Sequence, residues 1–328
     1  MADLDDVVQS VPSLYISLSY APPHDQHTVL AAFILSTQSQ AKCKVISLAT
    51  GTKCLPTVKY PKRGEALHDC HAEIVARRGA LRWFFEEIVR HHDSQRSPWI
   101  CFDSKSRRYR LCTGTRLCLY ISTLPCTSII FHQTPMAHVA TSLAGGDASM
   151  RYLAASQDEE MARLKDSSPP PPPVLTLASH TTSICRGRDG YSRLGVLRTK
   201  PGRADSPSTS CMSCSDKMAA WNVHGIQGAL GSYILHPLYI DAIVIGDVPG
   251  GGSSLRQTIL QEDCERAFWG RVANVDGKKK TATAPEALTL VVFPRRLVTM
   301  WIFRAQARCS LYECAVRAFQ SGIGAGRS

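Results

Sequence analysis

Three short motifs place metal-binding and proton-transferring side chains where predicted helices and strands begin or end. His71 and Glu73 form an H-x-E pair at the start of an arginine-rich helical segment, and Pro125-Cys126 follows a predicted buried strand. Cys214 directly precedes a second predicted helix. One imidazole and two thiolates give Zn²⁺ three protein ligands and leave a fourth position for water, as in catalytic zinc sites.

The expected surroundings of these ligands also favour metal binding. Each ligand would lie at a helix N-terminus, where the helix dipole favours a thiolate over a thiol. Glu73 lies two residues from His71, so it can face a bound water without binding the metal. The order H-x-E, P-C, Cys matches the signature of zinc nucleobase deaminases, except that the last cysteine is distant instead of three residues on.

Each motif has a simpler explanation when it is taken alone. An H-x-E pair is often only a polar first helical turn, and Pro-Cys often ends a strand with a buried cysteine. Cys211 and Cys214 form a CxxC pair, which also occurs in zinc ribbons and redox sites. The chain has no second CxxC pair, so the combination of the three motifs favours the catalytic zinc site.

Composition and charge exclude several classes of protein. The 328 residues include 38 Lys and Arg against 27 Asp and Glu, a net charge of +11. This excess favours an anionic partner, nucleic acid first and soluble polyphosphates second, although improved solubility is the simpler alternative. The longest apolar runs, such as 28–35 and 287–293, are too short for a membrane span, and the acidic N-terminus does not resemble a secretory signal. We therefore expect no membrane association, and a location in the nucleus, the cytoplasm or both.

Thirteen cysteines are scattered through the chain without a repeating spacing, from Cys43 to Cys314. In a reducing compartment such cysteines act as small buried residues or metal thiolates more often than as disulfides. Apart from the two proposed zinc ligands, Cys126 and Cys214, we expect the cysteines to lie in the core.

The hydrophobic pattern predicts alternating strands and helices. Apolar and β-branched runs predict buried strands at 28–34, 43–49, 117–122 and 238–246. Helical spacing of apolar residues predicts helices at 71–89 and 215–236. The alternation predicts an α/β layer architecture.

Two segments interrupt this pattern. Residues 167–190 begin with the run SSPPPPP and are predicted to form an exposed Pro-rich linker inside one domain. Residues 127–145 contain no Asp, Glu, Lys or Arg, in a chain in which 20% of residues are charged. This composition is typical of neither a surface loop nor a patterned strand.

Five sequence blocks resemble the deaminase domain shared by tRNA-specific adenosine deaminases and the adenosine deaminases that act on double-stranded RNA. They are TGTKC at 50–54, LHDCHAEIVARR at 67–78, LYISTLPC at 119–126, LRTKPGRADSP at 197–207 and MSCSDKMAAWNVHGIQGAL at 212–230. The resemblance covers about residues 10–270. The block at 197–207, and the lack of room for a double-stranded RNA-binding domain before residue 40, are most similar to the tRNA branch. The resemblance implies a cytidine-deaminase-like three-layer fold, with a mixed central sheet flanked by helices, in one domain over 1–328.

The resemblance also implies roles for individual residues of the catalytic centre. The zinc ligands of the family correspond to His71, Cys126 and Cys214. Its proton shuttle corresponds to Glu73, and positions close to the target nucleotide correspond to Thr52 and Lys53. The implied reaction is the zinc-dependent hydrolytic deamination of adenosine to inosine in the anticodon-loop region of tRNA. Editing of double-stranded RNA, and a catalytically impaired RNA-binding relative, are the alternatives. No DNA partner is expected.

A second implied site is a buried pocket for inositol hexakisphosphate. Four of its residues correspond to Arg77, Arg78, Lys217 and Trp221. Asp69 and Lys200 correspond to a relay between this polyphosphate and the zinc centre. A polyanion would neutralise cations that are costly to bury together. The alternative is a solvated helix face on which Arg77, Arg78 and Arg82 are exposed.

The chain departs from the family pattern at three places. The family motif P-C-G-D-A-S is interrupted by residues 127–145, and removal of this segment restores the motif in frame. This indicates a retained intron, with a genuine loop beside the metal as the alternative; His132 and His138 within it are expected to be incidental. Ala220 stands where the double-stranded RNA branch has an arginine. Residues 271–328 form a divergent or truncated tail where relatives complete the polyphosphate site.

Overall fold

A computed structural model describes residues 4–18, 28–37, 42–93, 96–125, 184–186, 196–200, 207–246 and 254–272. The inserted segment 127–145 and Cys126 lie outside these residues. So do the predicted linker 167–190, except for residues 184–186, and the predicted tail 271–328, except for its first two residues. Among the described residues, no helix is both long enough and apolar enough to span a membrane.

The described helices and strands follow one another in an α/β order. They are α1 (Leu4–Ser17), β1 (Leu30–Thr37), β2 (Lys42–Thr50), β3 (Thr52–Cys54), β4 (Asp69–His71), α2 (Ala72–His92), β5 (Ile100–Asp103), β6 (Arg108–Leu111), β7 (Thr115–Ile121), β8 (Ile184–Arg186), β9 (Leu197–Thr199), α3 (Cys214–His224), α4 (Gly228–Gly231), β10 (Ala242–Ile245) and α5 (Ser254–Phe268). Short 3₁₀ turns occur at Thr57–Lys59 and Gly270–Val272.

A four-stranded mixed sheet, in the order β10-β7-β1-β2, forms the centre of the fold. β1 pairs antiparallel with β2 and with β7, whereas β10 pairs parallel with β7. The predicted strands at 28–34, 43–49 and 117–122 are therefore confirmed, and the first two are neighbours as predicted. The expected burial of 43–49 is wrong, because β2 is an edge strand and Ile46 is the one buried side chain among those the structure describes in it. Three two-stranded sheets, β3-β4, β5-β6 and β8-β9, lie outside this sheet.

Helices cover both faces of the central sheet because alternate residues of a strand point to opposite faces. Ala32 and Ile34 of β1 are fully buried in an apolar cluster with Val11 of α1. Phe33, which lies between them in β1, points to the opposite face of the sheet. There it belongs to a second, larger apolar cluster that includes Phe84 of α2, Met218 of α3 and Phe268 of α5. The result is an α/β fold with a mixed sheet between two helical layers, as predicted.

The predicted helix at 215–236 is wrong in its second half. α3 ends at His224 because Gly225 adopts φ 79° and ψ 166°, which cannot continue a helix. A Cβ at this position would lie 2.1 Å from Gln227 Oε1, so the sharp exit also requires glycine. The predicted strand at 238–246 is likewise shorter, since β10 begins only at Ala242.

Two helices were not predicted from the pattern. α1 contains Pro12, which normally discourages a helix, yet its apolar side packs against the sheet and Val11 is fully buried. α5 has only a weak apolar stripe, but Cys264 and Phe268 are completely buried. In α5 tertiary packing outweighs a weak local pattern, whereas α1 is clearly amphipathic and forms a helix despite Pro12.

The nine cysteines whose side chains the structure describes are all free thiols. Cys118, Cys211, Cys214 and Cys264 are buried. Burial raises the pKa of the Cys118 thiol to about 11. The expectation that the remaining cysteines are core residues is wrong for five of them, which are half-buried because they lie on edge strands, small hairpins or adjoining turns: Cys43, Cys54, Cys70, Cys101 and Cys112.

Candidate active site

The β3-β4 hairpin places one predicted zinc ligand beside a predicted substrate residue. Thr52 pairs directly with His71, and Cys54 pairs with Asp69. His71 ends β4 and is also the N-cap of α2, whose first residue, Ala72, donates its N–H to the Gly51 carbonyl at 3.0 Å. The predicted position of His71 at a helix N-terminus is confirmed.

Gly51 is required for the close approach of the two strands. Its φ is +152°, and a Cβ would lie 2.0 Å from the carbonyl oxygen of Cys70. We expect Gly51→Ala to destabilise the protein by about 2 kcal/mol or more, because the backbone clash adds to the unfavourable φ. Urea unfolding would measure this loss. Gly114→Ala is the matched control, since Gly114 has φ +80° but nothing within 4 Å of its Cβ position; equal losses would contradict the clash.

Cys214 lies at the start of α3, as predicted, and is fully buried. Ser213 is the N-cap, and its Oγ accepts a hydrogen bond from the N–H of Asp216 at 3.1 Å. The Ser213 hydroxyl also donates to Asp216 Oδ2 at 2.8 Å. These two residues hold Cys214 in place and were not predicted as site residues, although S-x-x-D is a recognisable capping pattern.

Asp69 joins the two ends of the site through a buried hydrogen-bond network. Its Oδ1 lies 2.8 Å from His71 Nδ1, and it accepts hydrogen bonds from Lys200 Nζ at 2.9 and 3.2 Å and from Lys217 Nζ. Lys200 Nζ also donates to Cys214 Sγ at 2.9 Å. The structure therefore brings together four residues predicted from distant parts of the sequence, His71, Asp69, Lys200 and Cys214.

The charge of Asp69 is stabilised by its neighbours. Burial by itself would raise the pKa of this carboxyl, but the hydrogen bond with His71 and the positive charge of Lys200 lower it well below its usual range. Asp69 is 5% exposed and Lys200 is 2% exposed, so neither charge has appreciable access to water. The pair is a buried, hydrogen-bonded ion pair.

Glu73 lies in the first turn of α2 and is 1% exposed. Its Oε2 has no hydrogen-bond partner among the described residues. A buried carboxylate oxygen without a partner is energetically costly, and such atoms occur where a ligand, ion or reacting group completes the site. This is the position expected of a proton-transferring group.

The donors at this site suit a zinc ion. The contact between Asp69 and His71 Nδ1 leaves Nε2 of the ring available, an arrangement common among metal-binding histidines. The Cys214 thiol receives a hydrogen bond from a cation, which favours the thiolate that binds metal. Among the described residues no three His, Cys, Asp or Glu side chains cluster as a metal site. The third predicted ligand, Cys126, lies outside them.

The four residues predicted to bind a polyphosphate differ in their exposure. Trp221 is buried and Lys217 is partly buried, and the guanidinium carbon of Arg77 lies 5.5 Å from the centre of the Trp221 ring. Burial, and secondarily the charge of Arg78, lowers the pKa of Arg77. Arg78 is exposed, so the expectation that it is buried is wrong; it follows Arg77 directly on α2 and therefore points in another direction.

The alternative of a fully solvated arginine face is also only partly correct. Arg82 is exposed and pairs with Glu86, whereas Arg77 is half-buried and its Nε has no hydrogen-bond partner in the described part of the chain. Arg77 and Arg78 line an open cavity of about 320 Å³ together with Asp69 and His68. His68 was not predicted as a site residue, and no pattern in the sequence marks it. This cavity presents two arginines, one histidine and a single acid.

Comparison with known proteins agrees with this geometry. A sequence model described as the adenosine-deaminase (editase) domain matches residues 47–294, which is most of the chain. The chain belongs to the adenosine-deaminase (editase) domain family. This confirms the family resemblance found in the sequence blocks. The buried network, in which Asp69 and His71 are linked to Lys200 and Cys214, lies inside the matched region.

Curated members of the editase family include enzymes of both branches. The chain is 30% identical over 250 residues to tRNA-specific adenosine deaminase 1 of Schizosaccharomyces pombe, covering 75% of this chain and 54% of that protein. It is 31% identical over 229 residues to the Drosophila melanogaster protein of the same name, covering 68% and 49%. The chain is 28% identical over 231 residues to the double-stranded RNA-specific adenosine deaminase of Mus musculus, covering 70% of this chain and 18% of that protein. The chain thus matches about half the length of these tRNA-specific relatives.

Proposed function

We propose that this protein is a zinc-dependent tRNA adenosine deaminase that converts adenosine to inosine in the anticodon-loop region. The observation that carries the proposal is the buried network linking His71 to Cys214 through Asp69 and Lys200, with the unpartnered Glu73 carboxylate two residues from His71. The relatives named tRNA-specific adenosine deaminase 1 support tRNA as the substrate.

His71, Cys126 and Cys214 are the residues proposed to hold the zinc ion. A zinc ion bound there would lower the pKa of a water molecule toward 7 and so provide a hydroxide nucleophile for C6 of adenine. Asp69 fixes the orientation and tautomer of the His71 ring through Nδ1. Lys200 stabilises negative charge on the Cys214 sulfur.

Glu73 is proposed to move the protons of the reaction. Hydrolytic deamination moves both protons of the attacking water: the first goes to N1 of the purine, and the second leaves the hydroxyl group formed on C6 for the amine, which departs as ammonia. A carboxylate can accept each of these protons in turn and deliver it to its destination. Because Glu73 is 1% exposed, bulk water does not compete with it for these transfers.

The substrate base must leave its stack to reach such a buried centre. Unstacking costs a few kcal/mol, and least where the base is already single-stranded. An anticodon loop therefore fits the site better than the interior of a duplex. We propose that Lys53, which is exposed, and Thr52, which is half-buried and pairs with His71 on the hairpin, contact the incoming nucleotide.

We also propose that Arg77, Arg78, Lys217 and Trp221 hold inositol hexakisphosphate. The support is the unpartnered, half-buried Arg77 Nε and the excess of cations around Asp69. A bound polyanion would neutralise these cations and stabilise the fold. The test is to purify the protein without added metal or phosphate, denature it, and search for released inositol hexakisphosphate by mass spectrometry.

The function is tested by incubating the purified protein with total tRNA and, separately, with long double-stranded RNA. We expect inosine at an anticodon-loop adenosine, detected as an A-to-G change on sequencing, and little change within the duplex. Duplex editing without tRNA editing would support the second candidate, which the double-stranded RNA-specific relatives favour. Binding of tRNA by a protein that holds no zinc and forms no inosine would contradict an enzymatic function.

A further inference from the structure

The loop that joins β3 to β4 carries exposed cations beside the candidate active site. This loop, residues 55–68 and here called the rim loop, starts directly after Cys54 and ends directly before Asp69. The side chains of Lys59, Lys62 and Arg63 are all exposed. Glu65 is the one acidic residue in the rim loop. A net positive surface therefore extends from the hairpin that bears His71.

Hydrogen bonds and ring stacking hold the rim loop in one conformation. The Leu55 N–H donates to the His68 carbonyl at 2.7 Å and closes the base of the loop. The Tyr60 ring stacks on His68 with centroids 4.0 Å apart, and its hydroxyl lies 2.9 Å from Ser210 Oγ. These contacts attach the loop to the segment that leads into Cys214, so ligand binding need not first order it.

The three cations of the rim loop have no acidic partner, unlike Arg82 and Arg90 of α2. Arg82 pairs with Glu86, and Arg90 pairs with Glu87. Within the part of the chain that the structure describes, no carboxylate lies within ion-pairing distance of the three rim-loop cations. Exposed cations without partners on an ordered loop are well suited to bind phosphate groups.

We propose that the rim loop binds RNA phosphates next to the target adenosine through Lys59, Lys62 and Arg63. The inference rests on the proposed action on RNA, and it assigns the residues that position that substrate. Phosphate contacts fix the register of a nucleic acid but do not read its sequence. They act equally on the bound substrate and on the transition state, so they lower KM and leave kcat unchanged.

The test compares two triple variants that remove the same charge. The first replaces Lys59, Lys62 and Arg63 with Gln. The control replaces Lys105, Arg107 and Arg110 with Gln; these are exposed cations of the β5-β6 hairpin, which instead contacts residues 232–236. Binding of a tRNA anticodon stem-loop is measured as a function of salt, and deamination kinetics are measured on the same RNA. Thermal unfolding confirms that both variants fold.

The rim-loop variant should weaken RNA binding at least about tenfold at 0.1 M salt. The plot of log K against log salt should become less steep by about 2, at about 0.7 for each lost phosphate contact with a single strand. KM should rise while kcat at saturating RNA stays unchanged, and the control should match the wild type. Equal binding by the rim-loop variant and the wild type, or equal losses in both variants, would overturn the inference.

The binding measurement separates this inference from the proposed function. If the wild type binds RNA but forms no inosine, the proposed function fails, and the difference in salt dependence between the two variants still decides the role of the rim loop. If the wild type binds no RNA at all, both proposals fail. If it edits RNA and the rim-loop variant edits with the same KM, only the role of the rim loop is lost.

Discussion

Replacing Glu73 with Gln should lower kcat for adenosine deamination by about 10²- to 10⁴-fold. Gln has the same shape but cannot accept the proton of the attacking water or pass it to the base. The substitution also replaces a 1% exposed carboxylate whose Oε2 lacks a partner in the described structure, so stability should stay the same or rise. Single-turnover deamination, scored by sequencing, measures the first effect, and thermal unfolding measures the second.

Glu86→Gln is the matched control for this substitution. Glu86 lies on the same helix, but its side chain is 38% exposed and pairs with Arg82, so its replacement should leave activity unchanged and change stability by no more than about 0.5 kcal/mol. RNA affinity and zinc content of Glu73→Gln should equal those of the wild type. Full activity in Glu73→Gln would refute the assigned role, and loss of zinc would show that Glu73 supports the metal instead.

Replacing Lys200 with Met should destabilise the protein by about 3 kcal/mol or more. Lys200 is 2% exposed and donates to both Asp69 and Cys214, and loss of one partner from a buried ion pair leaves the other charge uncompensated. The Cys214 thiolate also loses a stabilising cation, so we expect lower zinc content. Chemical unfolding and elemental analysis are the measurements.

Two comparisons show whether this loss comes from the buried pair. Lys105→Met, on an exposed turn, should change stability by less than about 0.5 kcal/mol. Adding Asp69→Asn to Lys200→Met should cost less than the sum of the two single changes, because it removes the charge that was left unpaired. Additive losses would indicate that Lys200 contributes by packing rather than through its bond with Asp69.

Much of the fold follows from local patterns because the central strands are strongly apolar. β1 is a buried run and so is β7 from Leu117 to Ile121, whereas β2 and α2 were predicted from the spacing of their apolar residues. The errors fall where local and tertiary preferences conflict. α1 was not predicted because Pro12 argues against a helix. The predicted helix at 215–236 was too long because the helical pattern of residues continues past Gly225, although the backbone turns sharply there and approaches Leu238.

The residue types that are available for chemistry, and their order, can be read from the chain without any coordinates. The H-x-E, P-C and distant Cys motifs predicted the zinc centre, and the larger blocks predicted the family to which the chain belongs. These are properties of the order of residues along the chain, and they require no knowledge of contacts. The roles assigned to the individual site residues remain predictions that the variants above will test.

Which of these residues come into contact depends on how the segments that bear them pack in three dimensions. Lys200 and Cys214 reach Asp69 and His71 because the segments that bear them pack against the β3-β4 hairpin, although more than 120 residues separate them in the chain. The structure also distinguishes cations of the same type, since Arg77 is half-buried against Trp221 while Arg78, its neighbour, faces solvent. Sequence spacing cannot make this distinction, because burial depends on what packs against each face of a helix.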